Sequence, residues 1–272
     1  MRPCRRSSHP TFYFLVGNTG WYNVNGDSCE LDRMSLLLLR SRTIFNNYTK
    51  YSTRTMSALS SFSSCELSDA LLKLGVESGG YIPDISQFSG KSICGPAYTV
   101  KFVSSTDTGA PKLSEHFVDT APSGSVIVID VPQHAKNAVW GGLMTAGAQA
   151  RNAIGVVISG RCRDLAEHRE LGFSVFARAH STVGQSPFTR PSAINVPLEL
   201  VPRGDTTFPS TTVNPGDWIV ADEDGVVCVP KELEIMVTEL AAKSHAIDEK
   251  CMADIKDGKG VKASFAKHRG TK

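Results

Sequence analysis

Arg163, Asp164 and Glu167 are the residues of this chain whose types and spacing suit chemistry, together with Gly142 upstream. An arginine is charged at every accessible pH and presents a planar fork of donors matched to a carboxylate or an enolate oxygen. Asp164 is a hard oxygen ligand of the kind Mg²⁺ or Mn²⁺ accepts. Glu167 follows three residues later, so on a helix the two carboxylates would share a face, the second placed to hold metal-bound water or to move a proton. The backbone N–H groups of Gly142, Leu143 and Met144 open a helix, lack intrahelical partners and favour an anion such as a substrate carboxylate. Glycine there lets a ligand approach the backbone closely. An Arg-Asp pair by itself is more often a surface ion pair worth under about 1 kcal/mol; the combination is what points to a site.

The elements that must position these residues lie between 141 and 176. Leu143, Ala146, Gly147 and Ala150 recur at helical spacing and predict a narrow face of small residues laid against a sheet. Residues 154–158, apolar and largely β-branched, predict a strand buried on both faces and ended by Gly160. CRDLAEHREL returns to helical composition before Gly172, and 173–176 is a further strand. Helix, strand, turn, helix, strand puts the charged cluster past a strand's carboxyl end, where open α/β sheets hold ligands.

Around this unit the chain predicts a helix over 64–74, capped by Ser64 and closed by Gly75, strands over 92–103 and 125–131, and a helix around 112–118. Downstream come a strand over 193–201 and a Pro/Thr-rich loop over 202–212. WIVA and VVCVP form a hairpin about the acidic turn Asp222-Glu223-Asp224-Gly225, which reads as a tight turn and not a calcium loop. A long amphipathic helix over 231–256 carries Leu233, Met236, Val237, Leu240 and Ala241 on one face. His116 and His134 belong to no metal-spaced pair and read as surface or satisfied histidines. The pattern is α/β, a single domain over 57–272 behind an extension over 1–56.

The 272 residues are 41% hydrophobic and 21% charged with a formal net charge of +2, which is soluble globular composition and argues against nucleic-acid binding by bulk charge. No apolar run approaches the roughly 20 residues of a membrane-spanning helix. Residues 1–56 hold eight Lys and Arg against three Asp and Glu, the remainder 21 against 24. Between Met34 and Cys65 there is no acidic residue, while Arg40, Arg42, Lys50 and Arg54 alternate with Ser, Thr and apolar residues, as in a mitochondrial transit peptide; an unprocessed extension is the alternative. The seven cysteines are dispersed without a CxxC, which predicts reduced thiols in the mitochondrial matrix or cytoplasm.

Gly142, twenty intervening residues, Arg163-Asp164, two residues and Glu167 together resemble the signature of the RraA-like family, related to 4-hydroxy-4-methyl-2-oxoglutarate aldolase and oxaloacetate decarboxylase and formerly labelled dimethylmenaquinone methyltransferase-like. SSCELSDALLKLG at 63–75, GPAYTVKF at 95–102, FSVFARA at 173–179 and VNPGDWIVADEDGVVCVP at 213–230 are similar to the family's other recurring stretches, in the same order. The resemblance implies a β/β/α sandwich of the swivelling-domain type, assembled as a homotrimer or hexamer with active sites between subunits. It implies a divalent-metal-dependent lyase of small 2-oxo acids. Such an enzyme decarboxylates oxaloacetate, or cleaves 4-hydroxy-4-methyl-2-oxoglutarate, through a pyruvate enolate. Asp164 would hold Mg²⁺ or Mn²⁺, Arg163 would stabilise the enolate, and Gly142, Leu143 and Met144 would bind the substrate carboxylate. Bacterial aldolases of the family carry aspartate where Gly142 stands, so Glu167 would take over that function. An acidic residue from a neighbour's last helix also approaches the family's site, and Glu249 is the candidate. The alternative is a non-catalytic family member that binds and inhibits an RNA-degrading enzyme; such regulators lack the acid at the position of Glu167. No glycine-rich nucleotide loop supports a methyltransferase.

Overall fold

A computed structural model describes residues 13–15, 21–23, 57–204 and 207–270. The chain divides into two units, Met1–Thr55 and Met56–Lys272. In the first, β1 (Tyr13–Leu15) and β2 (Trp21–Asn23) pair antiparallel. Most of the basic leader, on which the transit-peptide reading rests, lies outside the described residues.

The second unit is built on one mixed sheet. Its strands are β3 (Ser86–Ser89), β4 (Ile93–Ser104), β5 (Val126–Asp130), β6 (Gly155–Cys162), β7 (Ser174–His180), β8 (Thr189–Ile194), β11 (Trp218–Ala221) and β12 (Val226–Val229), in the order β12-β11-β4-β5-β6-β7-β3. The central run β4-β5-β6-β7 is parallel, and β3 and β11 flank it antiparallel. β4 is 12 residues long, so one edge serves two partners: Ile93 to Pro96 pair with β11, and Val100 to Ser104 pair with β8. β9 (Leu198–Leu200) and β10 (Thr211–Val213) form a separate antiparallel pair. The predicted strand over 193–201 is thus two short strands, and the predicted loop after it ends in a third.

Why the central strands read as unbroken apolar runs is visible in their two faces. Val126, Val128 and Val157 join the cluster beneath β9 and β10, whereas Ile127, Ile129, Val156 and Ile158 join the opposite cluster with Phe117, Trp140 and Phe173. A strand covered on both sides has no polar face to alternate with.

Five α-helices complete the domain among the described residues: α1 (Ser64–Lys73), α2 (Gly142–Ala150), α3 (Leu165–Leu171), α4 (Glu234–Lys256) and α5 (Val261–His268). The N-cap of α1 is Ser63, in a capping box with Glu66, one residue earlier than predicted. Leu67 and Leu71 of α1 meet Val237 and Ala241 of α4 over Val220 and Val227 of the hairpin. Residues 112–118 form turns rather than the predicted helix, with the apolar Phe117 and Val118 buried in the core. No helix among the described residues is long and apolar enough to cross a membrane, and the described cysteines are free thiols. The second unit is thus an α/β domain built on a mixed sheet.

Candidate active site

The twenty-residue spacing between Gly142 and Arg163 has a backbone cause. Strand β6 does not stop at Gly160 but continues through a register irregularity to Cys162. Residues 139 and 140 run beside its end: Val139 N donates to Arg161 O at 3.0 Å and Arg163 N donates to Trp140 O at 2.9 Å. That stitch sets Gly141 and Gly142 against Arg163 and Asp164, at the carboxyl ends of the parallel strands.

Asp164 is the N-cap of α3 in a left-handed conformation, φ 62° and ψ 44°, which Asp tolerates better than most residues. Because it precedes the helix, it and Glu167 do not share a helix face as the sequence predicted. They converge instead on α2. Asp164 Oδ2 accepts from Gly142 N at 3.1 Å, and Arg163 Nε lies 3.4 Å from the same oxygen. A Cβ at Gly141 would sit 2.4 Å from Asp164 Oδ2, and one at Gly142 only 1.5 Å from Glu167 Oε2. The Glu167 carboxylate therefore occupies the volume that a side chain at 142 would need. The guanidinium of Arg163 crosses Gly184, where a Cβ would meet Nη1 at 2.7 Å.

The three amides assigned to the substrate carboxylate differ. Gly142 N is spent on Asp164 and Met144 N donates to Gly141 O at 3.0 Å, so Leu143 N is the amide left without a partner among the described residues. The buried face of α2 is Gly142, Thr145 and Ala148, and Leu143, Ala146 and Ala150 are exposed, which corrects the predicted stripe. The reason is a polar contact invisible in an apolar count. Trp140 Nε1 donates to Thr145 Oγ1 at 2.8 Å, and Thr145 Oγ1 bonds His168 Nδ1 at 2.9 Å. This buried chain ties α2 to α3. Burial pushes the His168 pKa down, keeping the imidazole neutral.

A cavity of about 180 Å³ opens over the cluster, lined by His116, Ala138, Val139, Trp140, Gly141, Leu143, Met144, Arg163, Asp164 and Gln185. Glu167 lies over Gly142, which falls in the chain between the lining residues Gly141 and Leu143. A wider groove of about 640 Å³ lies elsewhere, between Ser60–Ser63, Lys91–Cys94 and the acidic turn. Asp222 there is committed to α1, accepting from Ser64 N and Ser64 Oγ at 2.7 Å each, so the smaller cavity is the better candidate. Cys162 is buried and its thiol is pushed up to about 11 by burial, so Arg163 beside it does not activate it.

The donor set fits one divalent ion of the Mg²⁺ class. Asp164 Oδ2 is engaged by Gly142 and Arg163, leaving Oδ1 as a ligand. The described residues hold no cluster of three or more His, Cys, Asp or Glu that would cage a metal. Mg²⁺ is commonly held by one or two carboxylates, with water and substrate oxygens completing the shell. Glu249, the candidate expected on the last helix, lies on α4, which α5 follows, and pairs with His245 Nε2 at 3.6 Å in this chain.

Sequence reasoning missed His116, Gln185, Thr145 and His168. His116 and Gln185 come from loops far from the motif and carry no spacing signal. Thr145 and His168 fall inside the motif, but their mutual contact is a property of packing.

Fold and site together define an α/β domain with an arginine and two carboxylates gathered at a helix N-terminus beside the strand ends. The RraA-like family, described as Aldolase/RraA, matches residues 64–228, and the chain belongs to it. Among its relatives is a Legionella pneumophila protein called DlpA, 32% identical over 185 residues, which cover 68% of this chain and 28% of that protein's length. A Halalkalibacterium halodurans protein provisionally named 4-hydroxy-4-methyl-2-oxoglutarate aldolase is 32% identical over 157 residues, covering 58% of this chain and 69% of its own. An uncharacterised Pseudomonas syringae protein of known structure superposes with a TM-score of 0.65 at 28% identity, over 76% of this chain and 94% of that one.

Proposed function

We propose that this chain is a divalent-metal-dependent carbon–carbon lyase of small 2-oxo acids, decarboxylating oxaloacetate to pyruvate and cleaving 4-hydroxy-4-methyl-2-oxoglutarate by retro-aldol chemistry. The observation that carries it is the convergence of Arg163 and Asp164 on Gly141, and of Asp164 and Glu167 on Gly142, beside a cavity that Arg163 and Asp164 line. The aldolase-named relative supports the same reading.

Both reactions pass through one intermediate. Breaking C3–C4 of the substrate leaves its electron pair on the pyruvate fragment as an enolate, with negative charge gathering on the C2 oxygen. Arg163 supplies fixed donors to that oxygen, where charge grows in the transition state. The Leu143 amide and the positive end of α2 receive the C1 carboxylate. In the retro-aldol direction Glu167 takes the C4 hydroxyl proton as the C3–C4 bond breaks; in decarboxylation that proton transfer is not needed, because CO₂ departs. The enolate then takes a proton at C3. Asp164 would hold Mg²⁺ or Mn²⁺, which would supply Lewis-acid stabilisation of the developing enolate. Assembly as a homotrimer or hexamer belongs to the same proposal.

The test is pyruvate release from oxaloacetate by residues 56–272, with Mg²⁺ and with EDTA, corrected for the metal-only background. Metal-dependent release that disappears in Arg163→Ala supports the proposal. No release above background from folded protein refutes it and favours a non-catalytic regulator of an RNA-degrading enzyme.

A further inference from the structure

We infer that His116 is a specificity-determining residue of this site: its Nε2–H donates to the distal carboxylate of a dicarboxylic 2-oxo acid whose other end is gripped by Arg163 and the start of α2. This deepens the lyase reading and rests on it for the identity of the ligand.

Three observations carry it. His116 lines the same cavity as Arg163, Asp164, Leu143 and Gln185, although it is nearly fifty positions from Arg163 in the chain. Its ring, although exposed, has a partner at one nitrogen and on one face. Nδ1 accepts from Val118 N at 3.3 Å, and the ring stacks on Phe117 with centroids 4.8 Å apart and planes at 26°. Phe117 is buried against Phe102 and Trp140, and Trp140 leads directly into Gly141. The imidazole is therefore tied to the same packing that places the α2 N-terminus.

The hydrogen-bond arithmetic then fixes the tautomer. A ring nitrogen that accepts a backbone N–H carries no proton, so in the neutral imidazole the proton is on Nε2. Nε2 has no partner among the described residues. With Nδ1 accepting, Nε2–H is a donor suited to orienting an anionic oxygen, and giving that proton away would leave an imidazolate. His116 is thus assigned to recognition and not to proton transfer. A substrate with carboxylates at both ends offers one group to Arg163 and a second to His116, which line the same cavity.

The test separates the two ends of the ligand. Binding of oxalate, which presents only the 2-oxo acid end, and of 2-oxoglutarate, which adds a distal carboxylate, is measured by calorimetry with Mg²⁺, alongside oxaloacetate turnover. His116→Ala should weaken 2-oxoglutarate and raise the oxaloacetate KM by about tenfold or more, the loss of one hydrogen bond to a charged group, while oxalate affinity stays within about twofold. His116→Gln should restore more of the loss than His116→Asn, because a glutamine amide reaches the position of Nε2 whereas an asparagine amide reaches only that of Nδ1. Unchanged 2-oxoglutarate affinity in His116→Ala overturns the assignment. So does an equal loss for oxalate, which would mark a structural role. If the wild-type protein binds both acids yet releases no pyruvate above background, the lyase reading fails and the binding ratio alone judges His116.

Discussion

Gly142→Ala should silence retro-aldol cleavage without unfolding the protein. The new Cβ would lie 1.5 Å from Glu167 Oε2, 2.6 Å from its Cδ and 3.0 Å from its Cβ. Non-bonded carbon contacts become favourable only near about 3.5 Å, so the carboxylate must retreat by roughly 2 Å. A misplacement of about 1 Å at a catalytic group costs on the order of 10²-fold; kcat for the retro-aldol reaction should therefore fall by about 10²-fold or more. Stability should hold. Gly142 has an ordinary helical backbone with no positive φ, alanine is favoured over glycine in a helix by about 0.5–1 kcal/mol, and Glu167 is exposed enough to swing into solvent. The assay is steady-state pyruvate release from 4-hydroxy-4-methyl-2-oxoglutarate with a thermal melt of each variant, run as a double-mutant cycle with Glu167→Ala. The two changes should be strongly non-additive, since the glycine matters only through the carboxylate it admits. A Gly142→Ala enzyme with wild-type kcat, or losses that simply multiply in the double variant, would refute the reasoning.

Arg163→Ala should lower kcat by about 10²–10³-fold, the scale of one lost oxyanion donor, and Arg163→Lys should not recover it because a point charge cannot reproduce the planar fork; circular dichroism should show both folded, as the side chain is 46% exposed. Thr145→Val leaves Trp140 Nε1 and His168 Nδ1 buried and unpartnered, so urea unfolding should report a loss of about 2–5 kcal/mol, whereas Thr145→Ser should lose far less. Asp130 gives a pH-dependent effect. Burial raises its pKa from 3.8 to about 6 against the pull of Lys101 and Arg178. The folded state thus holds that proton more tightly than the unfolded chain, and the group's contribution is full at low pH and lost as pH rises through about 6. By linkage the loss is at most about 3 kcal/mol. Asp130→Asn should therefore be more stable than the wild type at pH 8 and should gain nothing at pH 4, measured by urea midpoints at both.

The local elements and the identity of the charged cluster were determined by the sequence alone. The unbroken apolar runs of β5 and β6 reported strands buried on both faces because covalent neighbours alternate across a sheet. Residues 226–229 and the long helix over 231–256 were equally legible from period and turn chemistry. Arg163, Asp164, Glu167 and Gly142 stood out because a fixed order of residue types survives in one dimension. The tertiary structure decided how they meet. Asp164 turned out to cap a neighbouring helix from a left-handed turn, and no helical-face argument contains that geometry. Thr145 displaced the apolar residues from the inner face of α2 because Trp140 and His168 offered its hydroxyl partners that only packing brings near. His116 entered the cavity wall from a loop whose position depends on Phe117 being buried against Trp140. Periodicity records what a chain does with its neighbours; contacts between segments 20 to 50 residues apart depend on the folded backbone that closes the distance.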